Sequence, residues 1–300
     1  MSQPRPDGLG VARPIPLFER LIVESQANCN RACWFCPRTY DRSGKYLDSE
    51  GDAVQHRMPT DAILHLLDQA RALGFAGLVG FHHYSEPLLD DRNIPLAWEA
   101  RNRGMAPYLH TNGDVLRRDD ALCREVARVY DHVVVGLYDY DTREELEEAK
   151  REWRIQLADV KLEFSPIGRA SARLVPSLVA PRALVPFDSR MACPDLIFVN
   201  APCHRPLVRM IVQHDGEMAH CCEDLAGAFS LGNVHRDSIE SLWYSERHVR
   251  IVKDLVAGRR EGYPLCQVCP LPPTGGRPDG GKIVMLPRPR TAAAPSGSLA

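Results

Sequence analysis

The stretch Ala27-Asn28-Cys29-Asn30-Arg31-Ala32-Cys33-Trp34-Phe35-Cys36-Pro37-Arg38 carries more information than any other part of this 300-residue chain. Its three cysteines have the spacing C-x3-C-x2-C, so all three thiolates can turn inward on one loop. An iron–sulfur cube takes four thiolates, and a cube held by three keeps one iron open for a small chelating molecule. Three cysteines on so short a loop would leave a zinc knuckle or a disulfide framework incomplete. Cys29, Cys33 and Cys36 therefore read as the ligands of an open [4Fe-4S] cluster.

A second, independent set lies downstream. Cys203 is followed by Gly216, Cys221 and then Cys266-Gln267-Val268-Cys269. Four thiolates from three separate places complete a second [4Fe-4S] cube with no iron left open, which suits electron transfer or structure. The same four could hold zinc, since ligand type alone does not separate the two metals. Asp237-Ser238-Ile239-Glu240 between these ligands has the Asp-x-x-Glu form of a helix cap. Cys123, Cys193 and Cys222 are left over, and Cys222, beside the ligand Cys221, is the one expected to approach the reacting centre.

Composition sets the frame. A net charge of -2, with no basic run interleaved with aromatics, argues against a nucleic-acid surface and for a small or peptidic substrate. No apolar run reaches the roughly 18 residues that cross a bilayer, and Met1-Ser2-Gln3-Pro4-Arg5-Pro6 lacks a signal-peptide core, so a cytoplasmic location is expected. In a reducing compartment, clustered cysteines are metal ligands more often than disulfides.

From about Glu19 to Phe164 strands and helices alternate. Leu21–Glu24, Gly77–His83, Ala106–His110, His132–Gly136 and Val160–Phe164 read as strands. After Thr60, the residues Ile63, Leu66, Leu67 and Ala70 make the stripe of an amphipathic helix that ends at Gly74. Further helices are expected near Ile94–Arg103, Ala121–Val129 and Thr142–Trp153. Repeated βα units imply a parallel sheet with its chemistry at the carboxyl ends of the strands, where the cysteine loop lies.

The C-x3-C-x2-C loop, with Phe35 before its last cysteine, resembles the radical S-adenosylmethionine (SAM) enzymes, and the later cysteines resemble the shortened SPASM, or twitch, domain. The resemblance implies an α/β fold, a partial (β/α)6-type barrel over 19–192 followed by a twitch domain over 193–270. An extension over 1–18 and a disordered tail over 271–300 flank these. It implies SAM bound at the first cluster, with Phe35, Tyr84-Ser85-Glu86 and Thr111-Asn112 as its contacts, although Tyr-Ser stands where the common turn has Gly-Gly. Together with Phe81–Leu89, these motifs are most similar to twitch enzymes of aminoglycoside pathways, one of which oxidises an aminocyclitol alcohol to a ketone in butirosin biosynthesis. That likeness implies a dehydrogenase acting on an aminoglycoside or aminocyclitol, fed by a flavodoxin- or ferredoxin-type electron donor, with Arg169 in the active site. Dehydration and epimerisation of similar sugars are its alternatives, Cys222 serving as hydrogen donor in the last. Peptide modification is a further alternative, but only about twenty residues precede the first strand, too few for a leader-binding module.

Overall fold

The computed structural model describes residues 13–33, 36–41, 43–140, 142–166, 196–227, 229, 231–267, 269 and 285–287. Five βα-type strands follow in chain order: β1 Arg20–Val23, β2 Leu78–Gly80, β3 Ala106–Thr111, β4 His132–Leu137 and β5 Lys161–Pro166. Helices α1 Thr60–Ala72, α2 Asn93–Asn102, α3 Asp120–Val129 and α4 Arg143–Gln156 connect them. Each helix starts and packs as its sequence requires. Helix α1 buries Ile63, Leu66, Leu67 and Ala70, and its chain leaves through Gly74 at φ +83°. Thr142 and Glu145 form a reciprocal capping box on α4, which buries Leu146, Ala149 and Trp153.

The sheet holds seven strands in the order β5-β4-β3-β2-β1-β7-β8, where β6 is Leu196–Phe198, β7 Arg209–Val212 and β8 Met218–Ala219. All contacts from β5 across to β7 are parallel, and β8 runs antiparallel to β7. Side chains alternate across it. Leu21 and Val23 are fully buried in the main core with the helices, whereas Ile22 packs on the opposite face with Tyr108, Ile211 and Ala219. That opposite face is the concave interior, and it positions the site.

Four expectations change here. Strand β2 ends at Gly80, not His83, because the chain turns to meet the cysteine loop, with the Glu86 N–H donating to the Asn28 carbonyl at 2.9 Å. The helix Ile239–Trp243 is capped by Ser238, which accepts from Ser241 N, while Asp237 instead accepts from Asn233 N at 3.3 Å. Strand β7, assigned from sequence to the second unit, extends the barrel sheet beside β1, so the two units share one sheet. The tail expected to be disordered holds the short strand β9, Met285–Pro287, paired antiparallel with β6.

Candidate active site and cysteine centres

A cavity of about 370 Å³ opens at the carboxyl ends of the strands and runs into the concave interior. Cys29, Cys33 and Cys36 line it, joined by Tyr84, Ser85 and Glu86 after β2 and by Thr111 and Asn112 after β3. Eight of the nine residues predicted for the first cluster and SAM thus line one cavity; the ninth, Phe35, lies outside the described residues, as does Arg169.

Hydrogen bonds tie these loops to one another. The Cys33 carbonyl accepts from Cys36 N at 2.9 Å and from the Thr39 hydroxyl at 2.9 Å, closing the cysteine loop into a turn. Gln26 donates to the carbonyls of Asn28 and Glu86, at 3.0 and 2.8 Å, stitching the loop to the Glu86 turn. Arg31 reaches Asp114 after β3, at 2.7 Å from Nε, and also Asp139 after β4. The Arg31 guanidinium holds the Asp114 carboxyl below the usual carboxylate range. Asp139 is thus a partner of the cysteine loop, and Thr142 caps the helix that follows.

Two glutamates at the strand ends are buried. Glu86 accepts from the Thr111 hydroxyl at 2.7 Å and from Asn112 N at 2.8 Å, which locks the two predicted SAM-contact loops together. Glu24, fully buried after β1, accepts from the Tyr46 hydroxyl at 2.7 Å and Tyr84 N at 2.8 Å. Desolvation pushes both carboxyls up to about 7, against these hydrogen bonds. A raised folded value means the native state binds the proton that the unfolded chain releases near pH 4.5. Its stabilising contribution is present below that pH and is lost as pH rises through 7. The destabilisation caused by Glu24→Gln should therefore be about 2 kcal/mol larger at pH 5 than at pH 8 in urea unfolding. A pH-independent difference between the two proteins would contradict this account of Glu24.

The second cysteine set adjoins the cavity. Cys266 lies near Cys269 and Cys203, and Cys221 near Cys266, and the Cys266 and Cys221 thiols are disfavoured as anions chiefly by burial and then by their neighbours. Donors point at the sulfurs: Glu223 N at 3.4 Å from Cys221 Sγ and Arg205 at 3.8 Å from Cys203 Sγ. Clustered thiols that resist ionisation alone, yet are met by N–H donors, suit thiolates bound to a cationic centre. Among the described residues no three His, Cys, Asp or Glu side chains converge on a single-ion site. A cube, whose thiolates each meet a different iron, does not need them to. Both donor sets fit the clusters read from the sequence. Cys222 bridges the regions: it lines the cavity, follows Cys221 in the chain, and its carbonyl accepts from the Tyr84 hydroxyl at 2.6 Å. Cys123 is buried far from the cavity lining, bonded to the Leu116 carbonyl, and Cys193 lies outside the described residues.

Several cavity residues escaped the sequence reading: Arg20, His82, Tyr108, His110, Glu163, Arg209 and Glu223. Their signal was polar and aromatic residues at alternate positions of strands whose other face is apolar, as in Tyr108 and His110 of β3.

The parallel sheet, the three-cysteine loop at its carboxyl end and the following four-cysteine unit define the fold of a radical SAM enzyme with a SPASM-type auxiliary domain. Residues 203–270 match the family model of SPASM, an iron-sulfur cluster-binding domain. The chain is 25% identical, over 84% of its length and 93% of the relative's, to the S-adenosyl-L-methionine-dependent 2-deoxy-scyllo-inosamine dehydrogenase of Niallia circulans. Among solved structures it is similar to BtrN in complex with AdoMet and 2-DOIA, with a TM-score of 0.64 at 21% identity, covering 85% of this chain and 94% of that one. It is also similar to anSMEcpe with bound AdoMet, with a TM-score of 0.55 at 13% identity, covering 83% and 88% of the two chains. No described helix is long and apolar enough to cross a membrane.

Proposed function

We propose that the protein is a radical SAM dehydrogenase that oxidises a secondary alcohol of an aminocyclitol or aminoglycoside intermediate to a ketone in antibiotic biosynthesis. The observation that carries the reading is one cavity lined both by Cys29, Cys33 and Cys36 and by Cys222, beside the second cysteine set. The named activity of the Niallia circulans relative supports the same substrate class. Bound at Cys29, Cys33 and Cys36, a [4Fe-4S] cluster with SAM supplies a radical that removes a hydrogen atom from a carbinol carbon.

The chain's own residues prepare that step. Glu86, Thr111 and Asn112 hold the SAM-contact loops in one arrangement, with Tyr84 and Ser85 completing the turn. Arg31 fixes the cysteine loop against the loops after β3 and β4. A hydroxyl proton must also leave, and His82, His110, Glu163 and Glu223 face the cavity to receive it, with Arg169 as the residue implied by resemblance. Cys203, Cys221, Cys266 and Cys269 would hold a second [4Fe-4S] centre, whose chemistry there would be electron acceptance. A flavodoxin- or ferredoxin-type donor in the cytoplasm supplies the reducing electron.

Epimerisation is the second reading, favoured by one observation: Cys222 lines the cavity, and a thiol there could return a hydrogen atom to a substrate radical. Product mass separates the outcomes. A dehydrogenase product is lighter by two hydrogens, a dehydratase product by one water, and an epimerase product keeps its mass. Incubation with a panel of aminoglycoside intermediates should yield the product lighter by two hydrogens. An unchanged mass with solvent deuterium incorporated, and loss of activity in Cys222→Ala, would replace dehydrogenation with epimerisation.

A further inference from the structure

The floor of the cavity carries charge that the proposed reaction does not use. Arg20 opens β1 and Arg209 opens β7, and the parallel register pairs them directly. Neighbouring strands lie about 4.8 Å apart, so two guanidinium groups leave the same face of the sheet side by side. Both line the cavity. Neither has a carboxylate within 4 Å among the described residues, and Arg209 Nε is buried there without a hydrogen-bond partner. Both cations act on the phenol of Tyr108, which is 5% exposed and lies between them and the mouth.

Adjacent like charges on paired strands are destabilising, and half-buried cations are retained where something neutralises them. The surrounding groups do not supply that. Glu163 is the acid that faces this end, and it is engaged by His132 at 3.2 Å and Lys161 at 3.5 Å. Burial keeps His132 below its ordinary value, with Lys161 and Arg20 adding to the effect. The floor is therefore a cationic end to a cavity whose mouth carries the cysteine loop.

We propose that Arg20 and Arg209 form an anion-recognising subsite, and that the substrate carries a carboxylate or phosphoryl group at the end remote from the attacked carbon. Paired forks of N–H donors match either oxyanion, and this end of the cavity disfavours a bare polyamine. The proposal rests on the reading of this cavity as the substrate pocket and narrows the substrate to an aminocyclitol or aminoglycoside intermediate that also carries an acidic substituent.

Anaerobic calorimetric titration of the reconstituted holoenzyme with glucose, glucuronate and glucose 6-phosphate tests it, because binding is read without turnover. At least one anionic sugar should bind about tenfold more tightly than glucose, and inorganic phosphate should compete with it. Preference for glucuronate alone assigns a carboxylate; preference for the phosphate ester alone assigns a phosphoryl group. Arg20→Gln and Arg209→Gln, each checked for an unchanged melting temperature, should each remove most of the preference. Equal affinity for all three sugars in the wild type overturns the subsite, as does a preference that survives in both variants. Should either variant fail to fold, the wild-type comparison and the phosphate competition decide alone. A ketone product with no anion preference would overturn the subsite and leave the dehydrogenase standing; an anion preference with a different product would do the reverse.

Discussion

Replacing Cys29, Cys33 and Cys36 together by alanine should lower the iron of anaerobically reconstituted protein from about eight to about four per chain and abolish formation of 5′-deoxyadenosine. The reason is local. These thiols share one short loop, held by the Cys33 carbonyl and by Arg31, and the second set lies on other elements, before and after β7. The second centre should therefore survive. Retention of about eight irons would show that the three cysteines are not ligands. Zinc found at the second set in protein purified without reconstitution would remove its role as electron acceptor.

Removing one ligand of the second set should separate the two halves of the reaction. In Cys269→Ala, reductive SAM cleavage should persist in part, because the SAM-contact loops are built from the ends of β1, β2 and β3. Product formation should fall at least about a hundredfold, since the loss of an outer-shell partner alone costs 10–100-fold and Cys269 is a direct ligand in this reading. Cys269 N donates to the Cys266 carbonyl, so the change falls on one turn beside Cys266 and spares the sheet. Ketone formed at the normal rate would reduce the second centre to a structural one. Deoxyadenosine and ketone measured in the same reaction give both numbers.

Much of this protein was legible in its residues because the signals were local. Helix α1 could be drawn from Ile63, Leu66, Leu67 and Ala70, since a 3.6-residue period and a terminal glycine need no partner to be read. The cysteine sets were legible for the same reason: spacing limits where thiolates can meet. The Ser238 cap was missed because Asp237 and Ser238 are both good caps, and the bond from Asn233 N to Asp237 decides between them. Glu163 and Arg209 were missed because a polar residue in a strand becomes a site residue only when the strand is given neighbours and a concave side.

By itself the sequence determined the βα alternation, the two cysteine sets and the turns expected to contact SAM, because each depends on residues close together in the chain. Tertiary structure alone decided that β7, arriving from the second unit, lies beside β1. That pairing sets Arg209 next to Arg20, brings Cys222 to the cavity and encloses the space between the cysteine centres. Strand neighbours separated by nearly two hundred residues are chosen by burial of the sheet's apolar face, which no short stretch of sequence encodes.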